Sequence, residues 1–294
     1  MMESSEIITT GSKILSHRRI YMTEIEDRTR LIETIQHFRL IDDTYFNNFM
    51  DDNFVCMQLM LRIILDDPTL EVQRIQTQRE IANIYGRGVR FDVFVRDAAG
   101  VEYNVEIQRS EDGAGEERAR FNSCLLDSVT IKKGFQWGRD HLPNACVIFI
   151  TEHDVLGGGK PLYHIWRTIA EMDNKRFDDR ASIIYVNAEY QDDSKLGRLM
   201  HDMFCENPDD MFYPELAERS RYFKSDKHGV MKMCKAMEKL MEEAREEERN
   251  NEKKNTILRL LHKGKKLADM MDATDWTKEQ ILSFLHSKNL QIVQ

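Results

Sequence analysis

Several common signatures are missing from this sequence. Five cysteines occur among 294 residues, an odd number, and no two form a C-x-x-C pair. Cys56, Cys124, Cys146, Cys205 and Cys234 are scattered, which suits a reducing compartment better than a disulfide framework or a zinc site. No apolar run approaches membrane-spanning length, and the opening MMESSEIITTGSK lacks the apolar core of a secretory leader. A cytoplasmic protein with no membrane partner is the expectation. Positive charge is in deficit, with 42 Lys and Arg against 51 Asp and Glu and a net charge of −9. That balance argues against a general coat for nucleic acid or anionic lipid, although it leaves room for a local basic groove. No internal repeat is visible. The run GGGK at 157–160 lacks the G-x-x-x-x-G-K-[ST] spacing and is followed by Pro161, so it reads as a flexible turn. His141, His153 and His164 share no metal-ligand spacing.

What is present describes a globular chain. Hydrophobic residues make up 41% and charged residues 32%, enough for one sizeable core with a polar appendage. Residues 1–30 are polar and read as an arm. From Leu31 the apolar residues recur at helical spacing through Ile32, Ile35, Phe38 and Leu40, and a second helix is expected over Phe46 to Leu65. Residues 71–85 fit strand and helix equally. A helix over 116–137 follows, then strands at 145–150, 162–169 and 182–188. The run ACVIFI at 145–150 is continuously apolar, as in a strand buried on both faces. Short helices in KLGRLMHDMF and PELAERSRYF precede a long helix from Val230 to about His262. Its charged middle, EKLMEEAREEERNNEKKN, reads as a solvated connector with Glu242–Arg245 and Glu246–Arg249 pairs. The methionines 231, 233, 237 and 241 fit core or partner-helix packing. A last short helix starts near Thr277, with Gln280 three residues on completing a capping box.

The clearest element is RFDVFVRDAAGVEYNVEIQRS, 90–110. Both arms alternate, and Ala98-Ala99-Gly100 fits a three-residue turn with Gly100 left-handed. That turn pairs Val95 with Tyr103, Val93 with Val105 and Phe91 with Ile107 on a dry face. On the other face it pairs Phe94 with Asn104, Asp92 with Glu106 and Arg90 with Gln108. Two acids thus face each other, with Cβ atoms roughly 5 Å apart, where like charges repel. Three readings compete: a solvated pair, an acid/base pair as in glycosidases, and a divalent cation held by hard oxygens. The neighbours favour the cation. Gln108 emerges on the same face. Arg109, Arg118, Arg120, Lys132, Lys133 and Arg139 form a local positive cluster suited to phosphate oxygens, and few aromatics stand near for a sugar.

The pattern D-x13-E-x-Q, after helices and before an R-A-R helix, resembles the PD-(D/E)XK nuclease superfamily. More narrowly it is similar to the PD-(D/E)XK family transposases, the recombination-promoting nuclease (Rpn) group. The segments LIETIQHFRLIDDTYF, LMLRIILDDPTLEVQRIQTQ, GRGVRFDVFVRDAAGVEYNVEIQRS, GAGEERARFNSCLLD, VIFITEHDVLG, IIYVNAEY and RYFKSDKHGVMKMCKAMEKL carry the likeness in order, over about 31–260. The resemblance implies an α/β fold: a restriction-endonuclease-like core, a central mixed sheet flanked by helices, with a helical C-terminal extension. It implies domains at 31–225 (nuclease-like), 226–264 (charged connector) and 265–294 (small helical module).

By the same resemblance Asp92, Glu106 and Gln108 are the catalytic set. Asp92, Glu106 and the backbone carbonyl of Ile107 would ligate Mg²⁺, or Mn²⁺ in its place. An additional acid from the first helix would be Asp43, with Asp42 beside it. Gln108 stands where the superfamily name has lysine, which removes a positive charge. Arg109, Arg118, Arg120, Lys132 and Lys133 would contact DNA. The implied activity is metal-dependent hydrolysis of DNA phosphodiesters in recombination, mobile-element or defence biology, with dimerisation through the late helices a natural route to cutting both strands. The competing expectation is a nuclease-fold interaction protein, weakly active or inactive, acting through its helical C-terminus. No DDE-type triad or end-recognition helix is evident.

Overall fold

The computed structural model of the chain describes residues 28–81, 89–128, 131, 134–137 and 139–290. By its contacts the chain divides into two compact units, Met1–Cys234 and Lys235–Gln294.

In the first unit a helix over 28–36 (α1) precedes α2 (Asp43–Met50) and α3 (Phe54–Ile64). The single helix expected over 46–65 is therefore two. Asp52 takes a left-handed conformation, and the Asn53 side chain accepts from Cys56 N–H, so the polar run Asp51-Asp52-Asn53 stops one helix and caps the next. Residues 71–85, ambiguous in sequence, supply β1 (Val72–Ile81). It pairs antiparallel with β2 (Val89–Asp97), which pairs antiparallel with β3 (Glu102–Gln108). The hairpin turn is as expected: Gly100 has φ +80°, and Asp97 N–H donates to Val101 O at 3.1 Å. The observed register matches for Val95–Tyr103, Phe94–Asn104 and Val93–Val105.

The chain then forms α4 (Glu116–Ser128), shorter than the expected 116–137, and β4 (Ala145–Thr151), buried along its whole length. The strand expected over 162–169 is broken into β5 (Leu162–Ile165) and β6 (Thr168–Ile169), and β6 pairs with β7 (Lys175–Arg176) in a separate ribbon. With β8 (Ala181–Asn187) the main sheet has the order β1-β2-β3-β4-β8-β5. The β3-β4-β8 centre is parallel and the flanking pairs are antiparallel. Helices cover it: α4 packs Ala119, Leu125 and Leu126 against Phe91, Phe94, Val147, Phe149 and Tyr185. The hairpin's second face is therefore no solvent face. Phe94 and Asn104 are buried on it as fully as Val93 and Val105 are on the first.

The GGGK turn is also more organised than expected. Asp154 accepts the Gly157 and Gly159 amides and the Tyr163 hydroxyl, and the Tyr163 oxygen accepts the Gly158 and Lys160 amides. Its N–H groups are thus spent within the chain. The helices α5 (Lys195–Phe204), α6 (Pro214–Ser225) and the first part of α7 (Lys227–His262) close the unit. Lys224, buried, donates to the carbonyls of Gln36, Phe38 and Glu206.

In the second unit the rest of α7 is joined by α8 (Leu267–Thr274) and α9 (Lys278–Ser287). Ile257, Met270, Ile281 and Leu285 form its core, with Trp276 and Phe284 packed against it. Thr277 and Gln280 make the expected capping box. Along α7, Arg249 bonds Glu242 at 2.8 Å, two turns away, in place of the expected Glu246. Met233 is core, whereas Met231 and Met241 are exposed.

Candidate active site

The β2–β3 ladder fixes where the acids sit. Because Asp97 and Val101 form a hydrogen-bonded pair, parity makes 95/103 and 93/105 the next ones and would make 91/107 the fourth. The ladder stops before that. Ile107 N–H instead donates to Asp92 Oδ2 at 3.1 Å, so a side chain replaces the missing backbone acceptor. The same parity turns the Ile107 carbonyl to this opening. The expected cross-strand facing of Asp92 and Glu106 thus falls where the two strands part.

Glu106 is 1% exposed, a buried carboxylate at the end of a strand packed on both sides. Its Oε1 accepts from Asn104 Nδ2 at 2.9 Å and its Oε2 from the Arg118 guanidinium at 3.0 Å. Burial pushes its pKa up against the lowering effect of those donors and of the Asp92 backbone N–H. Asp92 is pushed up further, to about 8, by burial first and then by the negative charges of Glu106 and Asp43. Asp43, in the first turn of α2, is solvent-exposed but is itself raised by desolvation among the surrounding atoms, while Arg90, the Asn47 amide and Arg118 lower it. Arg118 is the positive charge felt by all three acids.

Around this centre Gln108 Oε1 accepts from Arg118 at 2.8 Å, and Arg118 also donates to Gly113 O at 2.6 Å. The short 3-10 turn over Glu111–Ala114 is pinned by Tyr185 Oη, which donates to Ala114 O at 2.7 Å. Arg118 lies 5.9 Å over the Phe149 ring, which stacks on Tyr185.

Of the residues expected at the site, Asp43, Asp92, Glu106, Gln108 and Arg118 come together. Asp42 does not join the acids: it accepts from Arg39 N–H and Arg109. Arg109 is held between Asp42 at 2.9 Å and Glu152 at 2.7 Å, so its charge is spent inside the chain. Arg120, two residues past Arg118 on the helix, lines a separate groove with Ser123, Ile165, Trp166 and Arg167. Lys132 and Lys133 lie outside the described residues. Sequence reasoning passed over Asn104, Asn47 and Gly113. Asn104 had a signal, since N-x-E-x-Q places it on the face of Glu106 and Gln108.

Among the described residues, one set of three potential ligand atoms lies within 4.8 Å of one another: His201, Asp202 and Cys205 on and just after α5. Both Asp202 oxygens accept backbone amides, from Phe212 and Tyr213, and Cys205 Sγ contacts His201. That set is a helix-end hydrogen-bond knot. Asp43, Asp92 and Glu106 do not meet that spacing.

Residues 50–280 match the PD-(D/E)XK nuclease family transposases, a span well over half of the chain. The chain belongs to that family. No curated protein and no solved structure matches it. The six-stranded mixed sheet flanked by helices is thus a PD-(D/E)XK nuclease fold with a helical C-terminal region. Nucleases of this family generally use divalent metal ions, and DNA is the substrate the family suggests. Among the described residues, no helix is long and apolar enough to cross a membrane.

Proposed function

We propose that this PD-(D/E)XK protein is a metal-dependent deoxyribonuclease, with Mg²⁺ (or Mn²⁺) at Asp92, Glu106 and the Ile107 carbonyl. The observation that carries the reading is the pair of acids at the opening of the β2–β3 ladder, Glu106 buried and Asp92 half-buried, with the charge of a third acid, Asp43, acting on Asp92. Structure alone gives no reason to set a second carboxylate against the buried Glu106. The donor set fits the ion: carboxylate and carbonyl oxygens are hard ligands, and both carboxylates hold protons more tightly than free acids do, so a divalent cation would displace a proton on binding. A bound divalent ion would acidify a water and neutralise charge developing on the phosphate.

The chain's own residues do the rest. Asp92 uses Oδ2 to hold Ile107 N–H, which leaves Oδ1 for the ion, and Asn104 fixes the rotamer of Glu106. Gln108 and Arg118 stand at the rim, where a phosphodiester would approach. The weakly active alternative draws support from one residue, Gln108, neutral where the superfamily motif has lysine.

The test is conversion of supercoiled plasmid to nicked and linear forms by the full chain with Mg²⁺ or Mn²⁺. Cleavage should stop with EDTA and with Asp92→Ala, the fold being checked by circular dichroism. Equal nicking in all three conditions would rule the assignment out.

A further inference from the structure

The side chains of Gln108 and Arg118 interlock over the backbone of Gly113. An arginine only donates hydrogen bonds, so the Gln108 atom that meets it must be the amide oxygen. The Gln108 Nε2 group then lies over Gly113, where a Cβ would stand, and its N–H bonds are the donors the side chain has left to offer. Gly113 fixes this arrangement from the other side. A Cβ there would overlap the Gln108 amide, and its carbonyl takes a second bond from Arg118. Three of the five guanidinium N–H donors are engaged by Glu106, Gln108 and Gly113, which leaves two for a phosphate.

We propose that Gln108 and Arg118 together replace the lysine of the superfamily motif, Gln108 supplying a held N–H donor and Arg118 the positive charge. Resting on the nuclease reading above, this assigns the charge to a residue ten positions away on α4. It also sets Arg118 against the metal, because the guanidinium and the ion share Glu106. Arg118 is accordingly a positioning residue for Gln108 and Glu106 as well as a source of charge.

The experiment compares the full chain with Arg118→Met, Gln108→Lys and the double variant. Mn²⁺ affinity is read by titration calorimetry and plasmid nicking at saturating Mn²⁺. Arg118→Met should bind Mn²⁺ about tenfold more tightly, because a like charge leaves the site, yet nick about a hundredfold more slowly. A merely structural role would weaken both. Gln108→Lys should lower nicking, since its ammonium would lie against the guanidinium, and the double variant should nick faster than either single one.

Three results would overturn the pairing: Gln108→Lys raising the rate with Arg118 intact, Arg118→Met leaving nicking within about twofold of the parent, or Arg118→Met weakening Mn²⁺ binding. If Arg118→Met does not fold, Gln108→Lys alone decides. A parent chain that neither binds Mn²⁺ nor nicks plasmid removes the nuclease reading and this inference together, whereas an active parent with the wrong variant pattern removes only the inference.

Discussion

Replacing Asp92 by asparagine removes one of the facing charges and keeps an oxygen for Ile107 N–H, so the opened ladder stays closed by the same bond. Two carboxylate charges within the roughly 4–6 Å range of direct coupling repel, at an effective dielectric of about 20, by roughly 3–4 kcal/mol. Arg118 offsets part of that. From this repulsion alone the expected gain in stability of the metal-free protein is about 1–2 kcal/mol, or roughly 2–8 °C in Tm, and removing the desolvated Asp92 charge adds to it. The sign follows from linkage. Asp92 has a pKa of about 8 in the folded chain against 3.8 for an ordinary aspartate. Folding therefore favours its protonated form, and that contribution is full below the unfolded pKa and lost as pH rises through the folded one. The variant should gain little over the parent near pH 4–5 and most above pH 8. Thermal melts in EDTA at pH 5 and pH 9 measure this, with Mn²⁺-induced stabilisation abolished as the companion result. An Asp92→Asn protein no more stable than the parent at pH 9, or with the same advantage at both pH values, would refute the reasoning.

Other outcomes follow from the same geometry. Mn²⁺ binding should release a proton below about pH 8, with affinity falling up to about tenfold per pH unit as protons compete for Asp92. Calorimetry in buffers of different ionisation enthalpy measures that release, and its absence at pH 6–7 would contradict the raised Asp92 pKa. Gly113→Ala should push Gln108 out of place and slow nicking by about tenfold or more, with Mn²⁺ affinity and circular dichroism unchanged; unaltered cleavage would show that the glycine holds nothing. Lys224→Met should cost about 2–4 kcal/mol, because three carbonyls lose a buried ammonium donor. Denaturant unfolding measures it, and a loss within about 0.5 kcal/mol would mean water satisfies those carbonyls.

The parts of the fold that follow local rules could be read from the chain. Strict alternation and the left-handed Gly100 set the hairpin register, and the continuous apolar run ACVIFI pointed to β4, which the structure buries along its whole length. Where local rules compete, reading failed. The apolar spacing from Phe46 to Leu65 runs straight through Asp51-Asp52-Asn53, and the turn chemistry of those three residues wins. Nothing in LYHIWRTI signals that its strand breaks at Trp166. Of the site, Asp92 and Glu106 were legible because two acids on facing positions are odd in themselves. The partners were not. Arg109 looks like a phosphate contact until its ion pairs with Asp42, 67 residues back, and Glu152, 43 ahead, are seen. Arg118 and Arg120 look equivalent in R-A-R, but one helical step of two residues sends one to Glu106 and the other to a different groove.

The most direct measurement is a crystal of the full chain soaked in Mn²⁺ and phased on the anomalous signal of the metal. An ion held by Asp92 Oδ1, Glu106 and the Ile107 carbonyl is the predicted result. A map with no peak there, Glu106 still closed on Arg118, or with manganese only at His201 and Asp202, would contradict the account.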